Sequence, residues 1–174
     1  KYAVFNRSHY ENVLISRVHP EIVLNENLPH IQKKEQITEV FWKKRLNQIN
    51  HFEQIINENG TIIFKFFLNI SEKEQKERLV RRLDKPHKNW KFTPEDIEER
   101  KLWPEYISAY EKAINATSKN HSPWYNIPAN DKPTARYLVA KIIKERMATY
   151  TDIQYPDSDL KKSIDYYKDL LKNE

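Results

Sequence analysis

The run Thr61-Ile62-Ile63-Phe64-Lys65-Phe66-Phe67-Leu68 (TIIFKFFL) decides the fold class. It is nearly all β-branched or aromatic and shows no helical period, which describes a strand buried on both faces in a parallel sheet. Lys65 is its one interruption. Upstream, Trp42, Leu46, Ile49, Phe52 and Ile56 step by three and four, so an amphipathic helix is expected from about Ile37 to Asn59. Gly60 follows at the position where helices end in a left-handed residue. Downstream, Ser71-Glu72-Lys73-Glu74 has capping-box spacing and starts another helix.

Two shorter runs also look like strands, Tyr2 to Phe5 and Trp124 to Ile127, the latter boxed by Pro123 and Pro128. Thr93-Pro94-Glu95-Asp96 opens a further helix, with an N-cap, a proline in the first turn and an acid after it. Ala135, Leu138, Val139, Ile142, Ile143 and Met147 form another apolar helical face. Beyond Tyr150 a polar link leads to Leu160, Ile164, Tyr167 and Leu171, a closing helix. Strands alternating with helices imply an α/β fold, a parallel sheet covered by helices. The interval from about Ser71 to Ser118 is wholly helical and rich in charge, and is placed to act as a lid over the sheet's carboxyl edge, where open α/β sheets bind ligands.

The chain has 174 residues, enough for one domain with a core of its own. It has no cysteine, which excludes disulfides and thiolate metal sites. No apolar run approaches the roughly 20 residues that cross a bilayer, and the start does not read as a signal peptide, so a cytoplasmic protein with no membrane partner is expected. The formal charge of +5 favours polyanionic partners, although plain solubility also accounts for it. Gly60 is the single glycine. Phosphate-cradling loops need several glycines at a helix N-terminus, so no such loop lies within these residues. Either phosphate transfer is excluded or the loop lies upstream of Lys1. The strand-like start at residue 2 favours the second, and the chain is expected to be a fragment.

Two groups of residues could carry chemistry. Asn6-Arg7-Ser8-His9-Tyr10-Glu11, with Arg17 and His19, follows the first expected strand and would stand at the sheet's carboxyl edge. Arg7 could fork onto phosphate oxygens. The bland reading is a helix start, with Asn6 or Ser8 capping and Arg7 paired to Glu11. The second group runs from Arg78 to Lys91 (RLVRRLDKPHKNWK). Its three arginines and three lysines against Asp84 give it a charge equal to the excess of the whole chain. Pro86 breaks the helix there, so these cations cannot form one solvated face. Phosphoryl transfer needs cations placed over the moving phosphate; a solvated helix-turn-helix is the alternative. Trp90, Trp103, Tyr106 and Tyr110 accompany this region as stacking surface or as core. Asp84 and Asp96 could act as base or magnesium ligand, with helix capping the simpler role for Asp96. The six histidines (His9, His19, His30, His51, His87, His121) show no metal-site spacing.

With these residues in view, the sequence resembles the polyphosphate kinase 2 family over roughly Ala3 to Met147. The resemblance rests on VFNRSHYENVLISRVHP (4–20), on FKFFLNISEKEQKERLVRRLDKPHKNWKFTPEDIEERKLWPEYISAYEKAINATS (64–118) and on PWYNIPAND (123–131). The FNRSHYE form is most like the branch that phosphorylates AMP and ADP. The resemblance implies a P-loop kinase-like parallel sheet with a helical lid, incomplete here because the N-terminal strand and P-loop are absent. It implies a partial domain over 1–148, with the lid at about 71–118, and a C-terminal tail over 149–174. It implies phosphoryl transfer between inorganic polyphosphate and adenine nucleotides, Mg2+ as cofactor and a homo-oligomer.

On this reading Asn6 and Arg7 follow the Walker B strand and, with Arg81 and Arg82, are the catalytic residues. Arg7, Arg17, Lys88 and Lys91 bind phosphate, and Asp84, Trp90 and Asp96 belong to the lid. Two departures stand out. Many relatives carry Asp where Asn6 stands, and an amide cannot supply that charge. The Walker A loop has no counterpart, so these residues alone are expected to be nearly inactive. The alternative is a basic nucleic-acid-binding module, although the resemblance points away from nucleic acid as a partner.

Overall fold

A computed structural model describes residues 2–152 and 164–172. The elements run α1 (His9–Val18), α2 (Glu21–Leu24), α3 (Glu39–Glu58), β1 (Lys65–Asn69), α4 (Glu72–Leu83), α5 (Glu95–Lys101), α6 (Trp103–Thr117), β2 (Trp124–Pro128), α7 (Lys132–Met147) and α8 (Ile164–Lys172). Short 3-10 turns occupy Lys34–Gln36 and Pro86–Lys91. The fold is a helix-rich α/β arrangement on a small parallel sheet. β1 and β2 pair in parallel, from Lys65 opposite Trp124 to Asn69 opposite Pro128. All of α4 to α6 lies between the two strands in sequence, as expected of the helical excursion. Chain contacts divide the protein into two compact units, Lys1–Val139 and Ala140–Glu174.

In the first unit α1, α2, α3 and α6 pack through Tyr10, Val13, Leu14, Val23, Trp42, Leu46, Ala109 and Ala113. Ala109 and Ala113 lie one helical turn apart, and their small side chains present a flat stripe that larger neighbours can approach. Trp124 stands edge-on to Tyr10 at 4.9 Å, and Phe67 meets Tyr110 at a tilt with ring centroids 4.7 Å apart, which joins the sheet to this core. α3 ends as its glycine demands. Gly60 has φ +86°, its N–H donates to Asn57 O, and Thr61 N–H donates to Ile56 O, which closes the last turn. In the second unit the Arg146 guanidinium lies 5.5 Å from the Tyr150 ring centroid, and Tyr166 meets Tyr167 edge-on within α8. Of the residues expected in the closing helix, Leu160 lies outside the described residues, and Ile164, Tyr167 and Leu171 fall in α8.

Three expectations are corrected. Tyr2 to Phe5 is not a strand: it pairs with nothing among the described residues, and Tyr2, Val4 and Phe5 are exposed. β-propensity measures fit to a pleated, partnered surface, and among the described residues no such surface faces these side chains. β1 is not buried on both faces, since Leu68 is exposed and Phe66 and Phe67 are half-buried. Its far edge has no ladder partner among the described residues. On α3 the buried stripe runs Trp42, Leu46, Glu53, whereas Phe52 is exposed. Steps of seven from Leu46 and four from Ile49 both land on residue 53, so the helical period favours Glu53, and its carboxylate finds buried partners.

Candidate functional site

At the carboxyl ends of β1 and β2 lies an open recess of ≈ 430 Å³, lined by Asn69, Ser71, Pro128, Ala129, Asn130, Asp131 and Thr134. Its walls follow from local sequence. Ser71 caps α4 by accepting from Glu74 N–H at 3.1 Å, half of the expected capping box. Glu74 does not complete the box. Its carboxylate accepts from Arg78 Nε at 2.7 Å and from Arg81 Nη2 at 2.8 Å, and the Arg78 hydrogen bond, with Arg81 beside it, holds it below the ordinary carboxylate range. Asp131 caps α7 by accepting from Thr134 N–H at 2.9 Å. Arg78 Nη2 also donates to Ala129 O at 2.6 Å, so α4 is tied to the loop after β2.

The expected cations fall into different settings. Arg7 is exposed and pairs, among the described residues, with Glu11 alone, at 3.4 Å, and Asn6 beside it is exposed. The bland reading holds, because Ser8 is the N-cap of α1 and accepts from Tyr10 N–H, and Arg7 pairs with Glu11. The first turn of α1 is tied through Tyr10 to Lys65, the first residue of β1, and not to the recess at the carboxyl end. Placement of Asn6 and Arg7 at that edge presupposed the strand over Tyr2 to Phe5, which does not form. Arg7 and the basic stretch share no hydrogen bond or ion pair among the described residues. Arg17 is committed elsewhere. It donates to both Glu39 oxygens at 2.5 and 2.6 Å and stands over the Trp42 ring at 5.4 Å, with its side chain largely buried. It therefore reads as structural and is not brought together with Arg7.

The basic stretch forms the tip of the α4–α5 hairpin. Arg81 and Arg82 lie in the last turn of α4, with Arg82 3.9 Å from Asp96 on α5. Asp96 accepts from Thr93 N–H at 3.2 Å, the capping role. Asn89, with its amide nitrogen turned to the end of α4, donates to Arg82 O and Lys85 O and caps the helix that Pro86 breaks. Asp84, Lys85, Lys88 and Lys91 are exposed, and none of these lysines pairs with a carboxylate among the described residues. Trp90 is 77% exposed with Lys91 Nζ 5.0 Å from its ring. Trp103, Tyr106 and Tyr110 are half-buried, the core reading.

The base of the hairpin is anchored. Arg100 donates to Glu72 O, to the Glu72 carboxylate and to Gln75 Oε1, linking α5 to α4. Tyr106 donates to Glu99 at 2.6 Å, and His19 Nε2 lies 2.9 Å from the other Glu99 oxygen. The Glu99 contact raises His19 above its ordinary pKa.

Sequence reasoning missed two features. Arg78 was seen only as one cation of the run, although the four-residue step from Glu74 marks the ion pair that orients it. The other is a buried pair, Glu53 and Lys65, 2.6 Å apart. A carboxylate on the buried stripe of α3 and an ammonium inside an apolar strand were its signals. Burial opposes ionisation of Glu53, yet hydrogen bonds from His9, Lys65 and Tyr10 outweigh it and hold its pKa at about 2. Among the described residues no three His, Asp or Glu side chains gather round one point, so these residues do not build a magnesium site by themselves. No helix among them is long and apolar enough to cross a membrane.

Comparison with known proteins gives a consistent result. The family model described as Polyphosphate kinase 2 matches residues 1–155. An ADP-polyphosphate phosphotransferase of Rhodopseudomonas palustris is 46% identical over 158 residues, covering 91% of this chain and 53% of the relative. An AMP/ADP-polyphosphate phosphotransferase of Meiothermus ruber is 42% identical over 156 residues, covering 90% and 52%. A crystal structure of polyphosphate kinase 2 from Arthrobacter aurescens TC1 superposes with a TM-score of 0.81 at 35% identity, covering 98% of this chain and 54% of that one. The chain thus spans about half the length of the curated relatives it matches.

Proposed function

The chain belongs to the polyphosphate kinase 2 family, and from that premise we propose that it is the lid-bearing part of a cytoplasmic, homo-oligomeric P-loop kinase-like enzyme. The enzyme moves phosphoryl groups between inorganic polyphosphate and AMP or ADP. An oxygen of the nucleotide's terminal phosphate attacks the end phosphorus of polyphosphate. The bridging P–O bond breaks, and the chain leaves one phosphate shorter. Little covalent work falls to the protein, so its part is placement and charge stabilisation.

The observation that carries this reading is the unpaired charge at the tip of the α4–α5 hairpin. Lys88 and Lys91 are exposed cations on a 3-10 turn beside an exposed tryptophan. Solvated surface charge normally alternates in sign, and this patch does not. Arg81 and Arg82 follow on the last turn of α4, held by Glu74 and Asp96 until a stronger anion competes. In this account Lys88 and Lys91 bind the phosphate chain, Arg81 and Arg82 stabilise the transferring group, and Arg7, in the bend before α1, adds a further phosphate contact. Asp84 and Asp96 keep the hairpin in shape. Magnesium would offset charge on the phosphates; such sites hold it through one or two carboxylates together with substrate phosphates and water, and no carboxylate cluster among the described residues supplies that part.

Exposed Trp90 with Lys91 over its ring favours one second reading, stacking of nucleic-acid bases. A single experiment separates the two. The intact protein is given polyphosphate with AMP or ADP, and nucleotide products are measured with and without single-stranded RNA of equal charge. Formation of ADP or ATP that RNA barely inhibits supports the kinase. No product, with RNA displacing polyphosphate, supports the nucleic-acid module.

A further inference from the structure

The tip of the α4–α5 hairpin carries one side chain that phosphate binding leaves without a task. Of the four tryptophans, Trp42 is buried, Trp103 and Trp124 are half-buried, and Trp90 is 77% exposed. An indole in water forgoes the burial that usually stabilises so large an apolar group. Its backbone is nevertheless firmly held. Trp90 lies in the 3-10 turn Pro86–Lys91, where Lys88 N–H donates to Lys85 O at 2.7 Å. Phe92 N–H donates to Asn89 O at 2.9 Å and closes the turn. Asn89 caps α4 with its amide, and Phe92 is half-buried, so residues on both sides of Trp90 are anchored. Pro86 fixes one further φ angle.

The cations beside the indole have a defined arrangement. Side chains three apart on a 3-10 helix eclipse one another, so Lys88 and Lys91 stand on one side of the turn. Like charges placed in this way repel unless an anion comes between them. Lys91 Nζ lies 5.0 Å from the centroid of the Trp90 ring, an ammonium held by a π face in place of a carboxylate.

The two substrates differ in what they could offer this pair. Polyphosphate has phosphates for the lysines and nothing planar or apolar for the indole. A nucleotide has both. Phosphate attracts the Lys91 ammonium more strongly than a ring face does, since it carries full charge. The face so uncovered is open to a base, and base–aromatic stacking is the stronger of the two ring contacts at an exposed site.

We propose that Trp90 is a specificity-determining residue, whose indole stacks on the base of AMP or ADP as Lys91 Nζ leaves the ring for a phosphate oxygen. This rests on the phosphotransferase reading above. Purines offer the larger π face, so the indole favours adenine over cytosine.

The test compares the intact wild-type protein with Trp90→Ala and Trp90→Phe. Readouts are KM for ADP, the inhibition constant of CDP as a competing nucleotide, KM for polyphosphate and melting temperature. Because the side chain stands in solvent, the three proteins should melt within a few degrees of one another. Trp90→Ala should raise KM for ADP by about fivefold or more, the loss expected of one stacked base. It should raise the CDP constant less, so the preference for adenine narrows. KM for polyphosphate should stay within about twofold, and Trp90→Phe, which keeps a π face, should recover most of the loss. A KM for ADP that stays within about twofold in Trp90→Ala overturns the proposal. So does a KM for polyphosphate that rises in step with it, because the indole would then serve the hairpin and not the base. A wild-type protein that makes no nucleotide product from polyphosphate overturns the phosphotransferase reading, and this proposal with it. An active wild type beside unimpaired variants overturns the proposal alone.

Discussion

Ser71 and Asn130 grip each other across the recess at the carboxyl edge of the sheet. Ser71 N–H donates to Asn130 Oδ1 at 2.9 Å, and Asn130 Nδ2 donates to Ser71 Oγ at 3.3 Å. Asn130 thereby takes the place at the N-terminus of α4 that Glu74 would fill in a capping box. Glu74 is left to hold Arg78 and Arg81. The loop after β2 thus governs both the start of α4 and the carboxylate that restrains its arginines.

Asn130→Ala should therefore cost about 1 kcal/mol of stability, because Ser71 N–H loses its acceptor at a helix start. Asn130→Asp keeps the acceptor and should recover much of the loss. Urea unfolding of the three proteins measures both effects. Equal midpoints for wild type and Asn130→Ala would show that water replaces the amide without cost.

Glu53 predicts a defined acid response. Its folded pKa of about 2 lies below the ordinary 4.5, so the stability it contributes is fully present above about pH 4.5 and is lost as pH falls toward 2. The stability gap between wild type and Glu53→Gln should be constant near neutrality and narrow from about pH 5 to about pH 3. Urea midpoints across that range check it. A gap that stays constant to about pH 3 would contradict the depressed pKa.

His19 titrates in the opposite sense. Its hydrogen bond to Glu99 raises its pKa above 6.5, so its contribution is fully present below 6.5 and is lost as pH rises through the raised value. Because Glu99 lies on α5, hydrogen exchange of α5 amides should quicken above neutrality beyond the intrinsic pH effect. His19→Ala should abolish that extra acceleration. An NMR titration placing His19 below 6.5 would refute the contact.

Particular residues show what the sequence made legible. Ser71, Gly60 and Pro86 mark helix ends by local chemistry, and the structure has helix boundaries at or beside each of them. The parallel pairing of β1 with β2 follows from two apolar runs separated by helices. Tyr2 to Phe5 has strand composition and no partner among the described residues, a tertiary matter that propensity cannot see. Lys65 looked like an interruption, and only the fold brings it to Glu53, twelve residues earlier. Among the cations, composition located the patch but not its division of labour. Arg17, with Glu39 and Trp42 beside it, turned structural, whereas Lys88 and Lys91 stayed exposed.

The central claim is that the hairpin cations act on phosphate, and replacing Arg81 and Arg82 with Ala in the intact protein tests it most directly. Both side chains are about half exposed, so little stability should be lost. Turnover of polyphosphate with ADP or AMP should fall by about a hundredfold or more, the usual cost of removing a charge-stabilising contact. Turnover that stays within about twofold of wild type, at unchanged melting temperature, would contradict the account.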